Sequence, residues 1–274
     1  MILKKNRKLV AIVVPMFNRV ELTPEEEISK KHLIHHLNNY DKYMLVPKSL
    51  EIDIPGFKNV YLNKKYFGSL QAHANLLLSD YFYNLFSNYE FIFIYHLDSL
   101  VFSDQLVEWC EQGFDYIGAP WIKHKDAPYA GNKDFEGKVG NGGFSLRRVD
   151  SFLKMFNSPQ LFQDPEEYWQ NYYSSRSKIV QILNYPKKIL KQLGFRNTAK
   201  WEMAHYGPSE ERFIANRAEY YSPGFKIADV KTALKFAFEC VPQYCFEQNN
   251  HSLPFGCHAW HKYDRSFWEP YMLK

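Results

Sequence analysis

The chain has 274 residues, 46% hydrophobic and 23% charged, enough to bury one sizeable core. A formal net charge of +4 is too mild to point to nucleic acid, and no apolar run approaches the roughly 20 residues a membrane-crossing helix needs. The basic residues 1–8 precede only a short run, AIVVP (residues 11–15), with no cleavage site, so no signal peptide and a cytoplasmic protein are expected.

KLVAIVVP (residues 8–15) is a continuous β-branched run and reads as a strand buried on both faces. Thr23, Pro24 and Glu26 supply an N-cap, a proline at the first helical position and a capping-box acid. The helix they open runs to about Asn39 and can bury Ile28, Leu33, Ile34 and Leu37. Short strands are expected at 43–47 and 59–62. A second helix from near Ser69 places Leu70, Ala74, Leu77, Leu78, Tyr81, Leu85 and Phe86 on one face.

EFIFIYHLDSLVF (residues 90–102) is the strongest strand and carries a polar interruption near its end. Ser103 is expected to cap the short helix after it, and Gly113 to close that helix. DYIGAPW (residues 115–121) is another strand-like piece. This alternation predicts an α/β fold with a mostly parallel central sheet, helices on both faces, and ligands beyond the carboxyl ends of the strands. With no clear linker, one domain is expected, a strand–helix half over 1–121 and a less regular half over 122–274.

In the second half, the Gly- and Lys-rich stretch 122–143 reads as a mobile loop over the site, and a helix follows near 150–156. A basic helical insertion is expected at about 174–203. Its core, from Ser177 to Arg196, interleaves Lys178, Lys187, Lys188, Lys191 and Arg196 with Ile179, Ile182, Leu183, Ile189, Leu190 and Leu193. It reads either as a solvated helical hairpin or as a foot on a membrane surface. Cys240, Cys245, Cys257 and His258 could hold zinc on paper, but their spacing fits no standard module; with Cys110, the plainer reading is buried reduced thiols.

Four constellations carry chemistry. Asp98 ends a buried apolar strand, where a carboxylate needs a metal, a basic partner or a helix N-terminus. VGNGGFSLRR (residues 139–148) brings Asn141 and Gly142 either against a ligand or into a tight turn. Glu210 and Glu211 follow Ser209 at a helix start, where they either answer the helix dipole or present a proton-accepting carboxylate. His258, between Cys257 and Trp260, is either a core histidine or a nitrogen ligand to the same metal as Asp98.

The order of IVVPMFNR, YFGSLQAHAN, HLDSLVFSD, DYIGAPW, VGNGGFSLR, FAFE and LPFGCHAW resembles the GT-A class of nucleotide-sugar glycosyltransferases. More closely it resembles a poorly characterised bacterial glycosyltransferase-like family, over nearly the whole chain. The resemblance implies a Rossmann-related GT-A sheet and a sugar transferred from a nucleotide-sugar donor, a UDP-sugar, to a hydroxyl of a glycan or lipid-linked acceptor. It places Pro15, Asn18 and Arg19 at the nucleotide, Gly68, Ser69, Ala72 and Asn75 over base and ribose, and His73 where relatives carry a basic residue. It aligns Asp98 with the first acid of the metal triplet DxD and His258 with a C-terminal metal ligand, implying Mn²⁺ or Mg²⁺. Glu210 and Glu211 resemble the acidic pair that supplies the base in inverting members. The third triplet position is Leu100, so a metal would lean on His258, and a metal-free site would use Arg147, Lys262 or Arg265. A non-catalytic sugar- or nucleotide-binding protein and a nucleotidyltransferase are the alternatives.

Overall fold

A computed structural model describes residues 7–16, 19–207 and 209–273. The β-branched run becomes strand β1 (Lys8–Pro15), and its two-residue period feeds two cores. Ala11 and Val13 enter one, Val10, Ile12 and Val14 the other, so both faces are covered as expected. Helix α1 (Pro24–Leu37) opens with the expected capping box, the Thr23 N–H donating to Glu26 Oε2 at 2.8 Å. It buries Leu33 and Leu37, but Ser29 and His32 lie deeper than Ile28 and Ile34.

Strands β2 (Asp41–Pro47) and β3 (Lys58–Leu62) follow. The expected single second helix is two, α2 (Leu70–Leu77) and α3 (Asp80–Leu85). Ser79 makes the break: its hydroxyl donates to Leu76 O at 2.6 Å and accepts the Phe82 N–H, ending one helix and capping the next. Leu70, Tyr81 and Leu85 are therefore exposed rather than part of one buried face.

The strongest strand also divides. Strand β4 (Tyr89–Tyr95) stops before a turn at residues 96–99, and β5 (Leu100–Val101) leaves for another sheet. Helix α4 (Leu106–Glu111) starts after Gln105 with no side-chain cap, so Ser103 does not serve there, while Gly113 follows its end at φ +80°. Strand β6 (Tyr116–Gly118) and strand β7 (Phe144–Arg148) complete the main sheet.

Its order is β3-β2-β1-β4-β7-β6. The four strands from β3 to β4 pair in parallel, and β7 runs against both its neighbours, so it alone is reversed. Helices α5 (Val149–Phe156), α6 (Pro165–Tyr172), α7 (Lys178–Gln192), α8 (Ala199–His205) and α9 (Glu210–Tyr221) come next, then α10 (Val230–Phe236). Side chains of α3, α5, α8 and α9 fill the core on one face of the sheet. Those of α1, α4 and α10 fill the core on the other. The predicted α/β arrangement is thus the observed one.

Strand β8 (Ala237–Phe238), helix α11 (Pro242–Gln248), strand β9 (Gly256–Cys257) and helix α12 (Arg265–Trp268) finish the chain. Strands β5, β9 and β8 make a small second sheet over a third core containing Leu100, Trp260 and Trp268. All four cysteines are buried free thiols, and burial pushes Cys110 up to about 12 and Cys240 up to about 11. Among the described residues the only convergent set of metal-ligand types is His96, Asp98 and His258, so the paper zinc site does not form. No described helix is long and apolar enough to cross a membrane.

Candidate active site

A cavity of about 510 Å³ opens at the carboxyl ends of β1, β4 and β6, where open α/β sheets gather ligands. Pro15 and Met16 leave β1, His96, Leu97 and Asp98 leave β4, and Trp121 follows β6. Because β7 runs backwards, its preceding loop brings Asn141, Gly142 and Gly143 to the same edge. Gly68, Ser69 and His73 come from the start of α2, Glu210 and Glu211 from the start of α9, Glu239 and His258 from the second sheet.

Three side-chain atoms converge without hydrogen-bond partners and sealed from solvent: His96 Nε2, Asp98 Oδ1 and His258 Nε2. One ligand-type atom of each of these residues lies within 4.8 Å of the others. Asp98 Oδ1 and His258 Nε2 are 3.1 Å apart, an ion-pair distance without the alignment of a hydrogen bond. Burial alone would lower His258, but Asp98 and Glu239 outweigh it and push the imidazole up to about 10. Burial would likewise raise Asp98, and His258 instead holds it well below the usual carboxylate range. His96 has no such carboxylate contact; burial, then His73 and His258, press it down to about 3 and keep it neutral.

His258 is oriented from its other nitrogen. Nδ1 lies 3.2 Å from Glu239 Oε1 and donates to it when protonated; in the other tautomer it accepts from Asn141 Nδ2 at 2.9 Å. A carboxylate behind an imidazole whose far nitrogen faces outward is the arrangement that prepares histidine as a ligand. Asn141 sits at φ +65° and is pinned by the Phe144 N–H to its Oδ1. At both neighbouring glycines a side chain already fills the place of a Cβ. A Cβ on Gly142 would come within 2.0 Å of Glu210 Oε1, and one on Gly143 within 2.1 Å of His258 Nε2.

The two glutamates differ. Glu210 Oε1 meets Arg147 Nη2 at 3.1 Å in a fully buried pair, and Arg147 also donates to Tyr83 Oη and Ser145 Oγ. Burial raises Glu210, but a hydrogen bond from Glu211 and the Arg147 charge prevail and hold it ionised. Burial and then the Glu210 charge raise Glu211, which keeps the shared proton.

The remaining expected residues lie as follows. Ser69 caps α2, accepting the Ala72 N–H, and Gly68 beside it has φ +94°. Arg19 binds Glu26 at the start of α1 and the Glu21 carbonyl, and is not in the cavity lining. Asn75 accepts from Gln71 and lines a separate cavity beside Ser79 and Lys200. Asn18 lies outside the described residues. Leu100 is in the third core, and the residue of metal-ligand type near Asp98 stands two positions before it, in His96-Leu97-Asp98. Residues 96 and 98 share the turn that follows β4, closed by the Ser99 N–H to the His96 carbonyl at 3.0 Å, and the histidine two residues before Asp98 was the available signal. Glu239, Tyr66, Phe67 and Trp121 also line the cavity and were not foreseen there. Arg147, Lys262 and Arg265 are outside its lining; Arg147 is spent on Glu210 and Arg265 on Glu25. The loop expected to be mobile ends as buried wall, residues 139–143 being enclosed.

The model of one family, "Protein of unknown function (DUF5672)", matches residues 56–258. No curated protein matches the sequence. Among solved structures, the chain is similar to the galactosyltransferase LgtC bound to donor and acceptor sugar analogs, at 11% identity over 94% of this chain and 92% of that one, TM-score 0.49. It is similar to a glycosyltransferase involved in glycosylation of the major capsid of PBCV-1, at 13% identity over 96% and 98%, TM-score 0.47. It is also similar to the apo-form glycosyltransferase GlyE of Streptococcus pneumoniae TIGR4, at 14% identity over 97% of this chain and 60% of that one, TM-score 0.40.

Proposed function

The chain belongs to the family described as protein of unknown function DUF5672, and we propose that it transfers a sugar from a nucleotide-sugar donor to an acceptor hydroxyl. One observation carries the reading: two imidazole nitrogens and a carboxylate oxygen, sealed from solvent and without hydrogen bonds, His258 and Asp98 answering each other only as an ion pair, converge at the carboxyl edge of the sheet in a cavity that also holds a carboxyl pair. Left unanswered, such atoms cost stability, so they point to a ligand that completes them.

His96, Asp98 and His258 fit a divalent cation, and two nitrogens to one oxygen suit Mn²⁺ better than Mg²⁺. Bound there, the ion would take up charge on the leaving diphosphate. Tyr66, Phe67, Leu70 and Met16 offer an apolar seat for the base of a nucleotide such as UDP, with Gly68 and Ser69 beside it. Glu210 is fixed by Arg147 and positions its neighbour. Glu211 is the carboxyl free to exchange a proton, and once ionised it accepts the proton of the attacking hydroxyl. Attack opposite the leaving group inverts the anomeric carbon.

The test is a thermal-shift screen of nucleoside diphosphates and their sugars with and without Mn²⁺, followed by product analysis. Release of a nucleoside diphosphate with an inverted glycoside supports the reading; pyrophosphate would instead mark nucleotidyl transfer. Absence of any shift with every nucleotide, Mn²⁺ present, overturns it.

A further inference from the structure

Helix α7 is turned inside out. None of its 15 residues is buried. Two of its lysines face the protein: Lys188 pairs with Glu166 and lies over Trp169, and Lys191 lies over Tyr168 and Trp201, while Lys187 reaches the Tyr173 hydroxyl from the edge of that face. Its apolar residues face solvent. Ile179, Ile182, Leu183, Leu190 and Leu193 recur at spacings of three, four and seven, one continuous stripe. Ile182 and Leu183 are each 73% exposed and Leu193 78%, with Phe195 at 55% just beyond. A contiguous apolar face on an otherwise well-packed chain marks an interaction surface.

Charge selects the occupant. Residues 174–201 contain seven Lys and Arg and no Asp or Glu. Glu166 and Asp80 already pair with Lys188 and Lys200, so a second copy docked on this stripe would bring the segment's other cations together with no acid of the segment to answer them. An anionic bilayer supplies both what the stripe and what the charges require. By helical position, Lys178 and Lys187 flank the stripe, while Arg176 and Arg196 lie beyond the two helix ends, where cations reach headgroups as apolar side chains sink between acyl chains.

We propose that α7 and the Leu193–Phe195 turn after it dock this protein on an anionic phospholipid surface, the helix lying in the headgroup plane. The surface is separate from the cavity, so its failure leaves the proposed transfer chemistry untouched, and the reverse also holds.

The test is flotation of the full chain with vesicles of phosphatidylcholine alone and of phosphatidylcholine mixed with phosphatidylglycerol, at low and high salt. Binding to the anionic vesicles, released by salt, is expected. The exposed-face variant Ile182→Asp/Leu183→Asp/Leu190→Asp, whose sites are outside every core, should keep its Tm and lose about tenfold or more in vesicle affinity. Lys178→Ala should lose about fivefold. The proposal is overturned by no binding to anionic vesicles, by equal binding to neutral ones, or by a dimer in sedimentation velocity that the triple variant dissociates while vesicle binding is unchanged.

Discussion

An imidazole held up near pH 10 and a carboxylate held low are two readings of one contact, that of His258 with Asp98. A cation entering between them must expel the His258 proton. Mn²⁺ affinity should therefore rise about tenfold per pH unit up to about pH 10, with about one proton released on binding. Calorimetry in buffers of different ionisation enthalpy measures this, and a pH-independent affinity would remove His258 from the ligand set. The glutamates separate in the same way. Glu210→Gln leaves the buried Arg147 guanidinium without its counter-charge and should cost about 3–5 kcal/mol in denaturant unfolding. Glu211→Gln replaces a group already protonated, so stability should hold while transfer falls about 10²–10⁴-fold. With Glu211 raised, transfer should increase with pH through its titration, above the range of an ordinary carboxylate. At this scale the sequence marked Asp98, His258 and both glutamates by type and neighbours. It missed His96, because counting forward from Asp98 meets Leu100 whereas the partner stands two residues back.

Elements decide how close those side chains come. The loop before β7 carries no side chain at Gly143, and that space is occupied by His258. Gly143→Ala should displace the imidazole and abolish the Mn²⁺ thermal shift while the far-ultraviolet dichroism stays native; a retained shift would mean that this approach is not required. Helix α1 serves a different joint. His32 Nδ1 lies 3.0 Å from the Val101 carbonyl, and its Nε2 accepts the Leu273 N–H at 3.0 Å, tying helix, second sheet and C-terminal segment. Burial lowers the His32 pKa below its ordinary 6.5, so the unfolded chain binds a proton that the folded one resists. Its stabilising contribution is present above about pH 6.5 and is lost as pH falls through the lowered value. Urea unfolding of wild type and His32→Gln should converge on acidification; parallel curves would place the acid sensitivity elsewhere. The capping box at Thr23 was legible because both partners are three residues apart. The Ser79 break was not, since the apolar spacing continues unbroken through it.

Both sheets of the molecule are threaded by both halves of the chain. Strand β4 from the first half pairs with β7 from the second, and β6 reaches the sheet only through β7. Residues 1–121 expressed alone should therefore show no cooperative unfolding transition, whereas the full chain should show one that moves upward with Mn²⁺ by mass action. Two independent transitions in the full chain would argue against a site assembled across both halves. The sequence by itself determined the buried strands, the α/β alternation, the helix starts capped by Thr23, Ser69 and Ser209 and the residue types capable of site chemistry, because periodicity and capping act over a few residues. It also carried the apolar and basic pattern of α7, but not which face of that helix meets solvent. Only the tertiary structure joined Asp98 to a histidine 160 positions away in the chain, set Glu239 behind that histidine, and shifted the proton affinities of Glu210 and Glu211 in opposite directions. Ligand geometry and proton affinity depend on distances of a few ångströms between segments far apart in the chain, and no local pattern records them.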